Sequence, residues 1–277
     1  MKIAFLFHTS QWTRGLEQII QAFTKEGHYV YLMINDAKQR KQIANDFKNN
    51  PRIHIEIEYE YANSGDLSLP KFYLLMMRKG LLNFEIKYFV ALKEQMAPLK
   101  TNTYIEEFLQ EQYPANFYKI FEQTIDRKYV ERYFPYTNLK SFSTSKLLQR
   151  WSKTTAAFLS VLRIKRKPST DIVVGSPYFM ISDQGARELV NQMEYLLDNF
   201  KLSWFPEQIA LPTMLQKFTS QKHINNHYIL NNQTKPFSPA TLIDFSDNDL
   251  AAQQLFGGPY DLAILQQLIQ HYHSNSN

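Results

Sequence analysis

Apolar and polar positions follow two alternating periods along the first third of the chain. Residues 3–8, Ile3-Ala4-Phe5-Leu6-Phe7-His8, are an apolar run closed by a polar residue, the pattern of a strand covered on both faces. Residues 12–26 carry Leu16, Ile19, Ile20 and Phe23 at helical spacing, and Gly27 is a stop signal. His28–Ile34 reads as a second strand and 37–48 as a polar helix. Ile53–Tyr59 reads as a third strand, with Ile53, Ile55 and Ile57 alternating with polar residues. A Ser/Gly/Asp loop over 62–70, a helix over 71–83 and a fourth strand over 87–92 follow. Strand–helix alternation predicts a Rossmann-type α/β fold, a mostly parallel sheet flanked by helices. Ligands of such sheets sit beyond the carboxyl ends of the strands. That rule gathers Thr9-Ser10, Asn35-Asp36, the 62–68 loop and Lys93–Ala97 around one crevice.

The second half is less regular. Short helices are predicted over 103–112 and 116–124, a strand over 171–181, a helix over 183–197 and a last helix over 260–272, with a turn-rich stretch at 231–248. A longer helix over 145–163 places Leu147, Leu148, Trp151, Phe158, Leu159 and Leu162 on one side, beside Lys146, Arg150 and Lys153, and runs into the basic segment 163–167. Two readings of this helix stay open. It has the pattern of an interfacial helix making a peripheral membrane contact. The same stripe packed onto the sheet, with its cations solvated, is the more ordinary outcome.

Composition narrows the function classes. A formal net charge of +5 and a pI near 9.1 favour anionic partners such as nucleotide phosphates, lipid pyrophosphates or anionic membranes. The chain carries no recognised nucleic-acid-binding module, so nucleic acid is not an expected partner. It has no cysteine, which excludes disulfides, thiolate metal sites and a cysteine nucleophile, and fits a reducing compartment. No run approaches the ~20 apolar residues of a membrane span. The apolar start at Met1–Phe7 is cut short by His8, Gln11 and Arg14, unlike a signal peptide. The expected location is cytoplasmic, at most peripheral at the inner face of the membrane.

Residues 86–109 carry the most specific signal. A short apolar strand and a polar crossing lead into Pro98-Leu99-Lys100-Thr101-Asn102 and then a helix. Gly175-Ser176-Pro177-Tyr178-Phe179-Met180-Ile181-Ser182 forms a second motif. Phe205-Pro206-Glu207, followed by Thr213-Met214-Leu215, forms a third. In this order they resemble the signatures of the core-2/I-branching β-1,6-N-acetylglucosaminyltransferase family, which also holds bacterial polysaccharide enzymes and peptide O-xylosyltransferases. The absence of cysteine makes the resemblance one to the bacterial branch. It runs from residue 2 to roughly 265.

The resemblance implies one GT-A-like domain, with 1–112 as the nucleotide-binding half and 113–277 as the acceptor and catalytic half. It implies inverting transfer of a sugar, GlcNAc among the candidates, from a UDP-sugar to a polysaccharide, glycoprotein or lipid-linked acceptor. Glu207 is the implied general base, since the attacking hydroxyl must lose its proton. A glutamate at a helix start is equally explained by the helix dipole. The nucleotide-sugar side is assigned His8, Thr9, Asn35, Asp36, Lys100, Ser176 and Lys235, and the acceptor side Asp66, Tyr178 and Trp204. The glycine of the second motif would let backbone approach a ligand.

Departures from the family pattern are as specific as the matches. Lys93-Glu94-Gln95-Met96 replaces a stretch with Gly and Asp. Pro259 stands where the family has a diphosphate-neutralising lysine, and Ala240 aligns with a second cation. A leaving diphosphate needs positive charge. Lys235, Lys100, Lys93, the 163–167 run or a metal would have to supply it. Asp247-Asn248-Asp249 has the spacing of a divalent-metal pair. It also precedes Leu250-Ala251-Ala252 as a helix cap would. The expectation is therefore no metal cofactor, with Mn²⁺ and Mg²⁺ left open. Asn63–Asp66 lacks the family's tryptophan, which predicts a different acceptor preference. These losses keep a second function open: a non-catalytic relative that serves as a binding or scaffolding subunit.

Overall fold

The computed structural model describes residues 1–58, 66–122, 127–137, 139, 141–142, 144–167, 171–231 and 254–274. Its main sheet has seven strands: β1 (Lys2–Thr9), β2 (Tyr29–Ile34), β3 (Ile53–Ile55), β4 (Ile86–Lys93), β6 (Asn116–Ile120), β7 (Gly175–Ser182) and β8 (His223–Ile224). Their order is β3-β2-β1-β4-β7-β6-β8, and within it only β7 runs antiparallel to its neighbours. A second sheet joins β5 (Ala97–Pro98), β10 (Phe256–Gly258) and β9 (Ile229–Asn231), in that order. The expected mostly parallel α/β architecture is what the chain adopts.

The continuous apolar runs of β1 and β4 follow from burial on both faces. Ile3, Phe5, Phe7, Tyr88, Val90 and Leu92 point into one core; Ala4, Leu6, Phe89 and Ala91 point into the other. The first core is covered by α1 (Arg14–Lys25), α2 (Ala37–Asp46), α4 (Asn102–Gln112) and the last helix, α10 (Leu262–His273). The second is covered by α3 (Ser68–Gly80), α7 (Asp183–Leu189), α8 (Met193–Phe200) and α9 (Ala210–Phe218). Helix α1 starts at Thr13, whose hydroxyl accepts from the Leu16 amide at 3.2 Å. Its Phe23 ring stacks on Phe5 at 3.7 Å between centroids, tying helix to sheet. A small third cluster lies between α5 (Arg127–Glu131) and α6 (Lys146–Val161), built on Phe134, Phe142, Ala156 and Trp204. Among the described residues no helix is long and apolar enough to cross a membrane.

Three expectations change. Residues 116–120 are strand β6, not part of a helix over 116–124. Phe117 and Tyr118 each bury against a different core, which needs the two-residue period of a strand. The helix over 183–197 is two helices, α7 and α8; Leu189 and Leu196, both buried, keep one apolar face across the break. The apolar stripe of α6 does not pack on the sheet. The helix buries only Ser152 and Ala156 and leaves Leu147, Trp151, Phe158 and Val161 exposed.

Candidate active site

Strand register brings the crevice together. Thr9 pairs with Ile34 and His8 with Lys93, so Thr9, Asn35 and the Lys93–Glu94 tip of β4 share one end of the sheet. The Asn35 amide donates to the Thr9 carbonyl at 2.9 Å. Antiparallel β7 pairs Phe179 with Ala91, and its entry residues Ser176 and Tyr178 border the same end. There the Thr9 hydroxyl donates to the Glu94 carboxylate and accepts from the Gln11 amide at 3.1 Å. Glu94 was not among the sequence candidates, because it lies in the stretch that departs from the motif. The available signal was position alone: a carboxylate at the carboxyl end of a central parallel strand.

Glu207 reaches this end from the other half of the chain. Phe205 before it is held in the left-handed region, φ 46° and ψ 58°, which costs a bulky residue roughly 1–2 kcal/mol. Pro206 then opens a single 3-10 turn, Pro206–Gln208, that leads into α9. This bend buries the Glu207 side chain, 1 % exposed, against β7 and α3. Its charge is felt by two phenols. Burial, then Tyr178 and Glu207, raise Tyr73 well above the ordinary tyrosine range. Burial, then Glu207 and Glu94, raise Tyr178. Tyr178 thus stands within the field of both carboxylates, one from each half of the chain.

A model of the Core-2/I-Branching enzyme family matches residues 3–250. The chain belongs to the Core-2/I-Branching enzyme family. It is a glycosyltransferase by that membership, with a nucleotide-sugar donor and a glycan acceptor as its general substrate classes. Mouse xyloside xylosyltransferase 1, in its apo crystal structure, aligns over 93% of this chain and 97% of its own at 13% identity and a TM-score of 0.35. None of the curated proteins matches the sequence.

The remaining candidates of this Core-2/I-Branching enzyme fall into two groups. Ser176 is buried and accepts from the Tyr178 amide at 3.1 Å, shaping the entry of β7. His8 is half-buried at the end of β1, with Nδ1 enclosed. Burial and the nearby Lys93 lower it to about 4, so it is a neutral imidazole at pH 7. Lys93 itself is an exposed cation on the crevice rim. The others are engaged in local structure. Asp36 caps α2, accepting from the Lys38 and Gln39 amides at 2.9 and 2.8 Å. Asp66 accepts from the Ser68 amide at 2.6 Å at the start of α3, and burial raises its pKa. Trp204 packs on Phe134 and Phe142, with the Lys153 ammonium 4.8 Å from its ring centroid. Lys100 lies over the Tyr104 ring, 5.7 Å from its centroid, on α4.

Two glycines have packing roles. A Cβ on Gly175 would meet the Lys119 carbonyl at 2.4 Å and Pro212 at 2.8 Å, so its missing side chain admits protein, not ligand. A Cβ on Gly258 would meet the Gln95 carbonyl at 2.3 Å, so β10 lies flat on the Glu94–Met96 turn. Pro259, next in the chain, brings no charge to that position. Arg166 leaves the basic run to donate to the Val130 carbonyl at 3.4 Å and to Ser203 and the Lys201 carbonyl. Lys235, Ala240, Asp247 and Asp249 lie outside the described residues. Among the described residues no three His, Asp or Glu side chains converge as a metal set. A cavity of about 530 Å³, lined by Tyr29, Tyr31, Arg52, His54 and Lys79, opens at the opposite, amino end of β2 and β3.

Proposed function

We propose that the protein is an inverting glycosyltransferase that moves a sugar, GlcNAc among the candidates, from a UDP-sugar to a polysaccharide or other glycan acceptor, with Glu207 as general base. The supporting observation is the convergence of Glu207, Tyr178 and Glu94 at the carboxyl end of the central strands, with Glu207 fixed by the strained Phe205-Pro206 bend. In the reaction, Glu207 takes the proton of the acceptor hydroxyl. The hydroxyl oxygen bonds to the anomeric carbon from the face opposite the nucleotide. The bond from that carbon to the diphosphate oxygen breaks, its electrons leave with UDP, and the configuration inverts. A base so placed contributes about 10²–10⁴ in rate.

His8, Thr9 and Asn35 border the nucleotide side of the crevice, and Tyr178 offers a ring to the acceptor side. Lys93 is the described cation best placed for the diphosphate, being at the β4 tip. It would supply the charge that Pro259 does not. No metal is required by this arrangement, and residues 1–112 act as the nucleotide half.

The deciding assay is release of UDP and formation of product from a panel of UDP-sugars, with and without EDTA. Glu207→Gln should lower turnover by about 10²–10⁴ while the melting temperature holds. Turnover surviving that substitution removes Glu207 as base. The uncharged Pro259 favours a second reading, a degenerate relative acting as a binding or scaffolding subunit. At about 100 Kd a ligand stabilises by about 2.7 kcal/mol. No thermal shift at millimolar UDP, with or without Mn²⁺, would favour the scaffold.

A further inference from the structure

We propose that α6 and the basic segment after it form a docking surface for an anionic lipid membrane. Surface helices normally turn their apolar stripe to the core; α6 packs Leu148 inward and leaves most of its stripe exposed. Leu147, Trp151, Phe158 and Leu162 are 65%, 60%, 61% and 54% exposed. At 100° per residue they fall within an arc of about 60° and run about 22 Å along the helix axis. Val161 and Ile164, 79% and 48% exposed, extend the apolar surface at the carboxyl end. The side turned inward buries only small residues, Ser152 and Ala156, beside the half-buried Leu148, so the helix is seated by close approach and most of its large apolar side chains face out.

Charge selects the occupant. From Arg132 to Lys167 the sequence contains no Asp or Glu. Lys146 and Arg150 flank the stripe on one side, and exposed Arg163, Lys165 and Lys167 follow its end. Arg166, buried among Val130, Lys201 and Ser203, anchors this segment so that its neighbours project. A second copy of the chain on the same patch would oppose two basic surfaces across an isologous contact. An anionic leaflet satisfies both features at once, taking the apolar stripe at the headgroup boundary and the cations at the phosphates. The surface adjoins the catalytic turn, because Ala156 of α6 packs with Trp204, three positions before Glu207. The inference does not depend on Glu207 being the base.

The test is co-sedimentation of the full chain with phosphatidylcholine vesicles, alone or with 30% phosphatidylglycerol. Binding should require phosphatidylglycerol, weaken with added salt, and shift Trp151 emission to the blue, with Trp151→Phe assigning the signal. Arg163→Ser, Lys165→Ser and Lys167→Ser together should weaken it about a hundredfold, at about fivefold per cation. Trp151→Gln with Phe158→Gln should abolish the insertion. All these positions are exposed, so circular dichroism should be unchanged. Absent binding, equal binding to neutral vesicles, or binding indifferent to both variants overturns the proposal. So does concentration-dependent dimerisation removed by Phe158→Gln, which would make the face a self-interface.

Discussion

The Thr9 hydroxyl and the Glu94 carboxylate, 85 residues apart in sequence, meet at the tips of adjacent strands β1 and β4. The contact fixes a carboxylate at the crevice end of the sheet, in the segment that departs from the family pattern. If Glu94 holds a hydroxyl of the donor sugar, Glu94→Gln should raise the donor KM about tenfold and change kcat less, since a hydrogen bond to a charged group contributes about 1.5–3 kcal/mol. Steady-state kinetics that lose kcat alone would place Glu94 in the chemical step instead.

Phe205 provides a stability test of the bend before Glu207. A β-branched residue is poorly tolerated at φ 46°, whereas glycine adopts it freely. Phe205→Val should unfold at lower urea than Phe205→Gly, by about 1–2 kcal/mol, even though valine retains more apolar surface. Activity should fall in the valine variant as Glu207 is displaced. Equal stabilities would mean that the bend carries no strain.

Gly175 offers a packing test. Its Cβ position is filled by the Lys119 carbonyl and Pro212. Gly175→Ala should destabilise by about 1–3 kcal/mol, as overpacking does, with the melting temperature falling. Nucleotide affinity measured below the transition should fall less than stability does, because the crowded atoms belong to β6 and α9. Unchanged stability with lost affinity would restore the ligand-approach reading of this glycine.

Acid should weaken the fold through buried histidines. His28 is fully buried; the Ile3 amide donates to its Nδ1 at 3.4 Å, so Nε2 carries the proton and donates to Asn102 Oδ1 at 2.7 Å. Burial, opposed by that hydrogen bond, lowers it from 6.5 to about 4. Between these values the unfolded chain binds the extra proton, so stability is complete above pH 6.5 and is lost as pH falls toward 4. The loss is on the order of 3 kcal/mol for such a histidine. His8 and His227, also lowered to about 4, act in the same direction. Urea unfolding from pH 7.5 to 4.5 should reveal the slope, and His28→Gln should flatten part of it. A flat profile in the parent chain would contradict the buried neutral imidazole.

Local pattern determined most of the first half. Helix α1 satisfies its own backbone, and the continuous apolar runs of β1 and β4 mark strands buried on both faces whatever their neighbours, so local pattern suffices to recognise them. Thr101 similarly announces α4, accepting from the Tyr104 amide at 3.3 Å. The three ordered motifs and the position of Glu207 on a turn before a helix were also legible, because they are contiguous segments. What the sequence left undecided depends on partners distant along the chain. Asn116–Ile120 becomes a strand because β7 and β8 pair on either side of it. Glu94 joins the crevice end of the sheet because β1 places Thr9 beside it. The outward face of α6 is decided by which side allows close approach, and there the small residues Ser152 and Ala156 prevail over the larger apolar stripe. Helical period fixes which side chains share a face; only the packed surroundings decide whether that face meets protein or solvent.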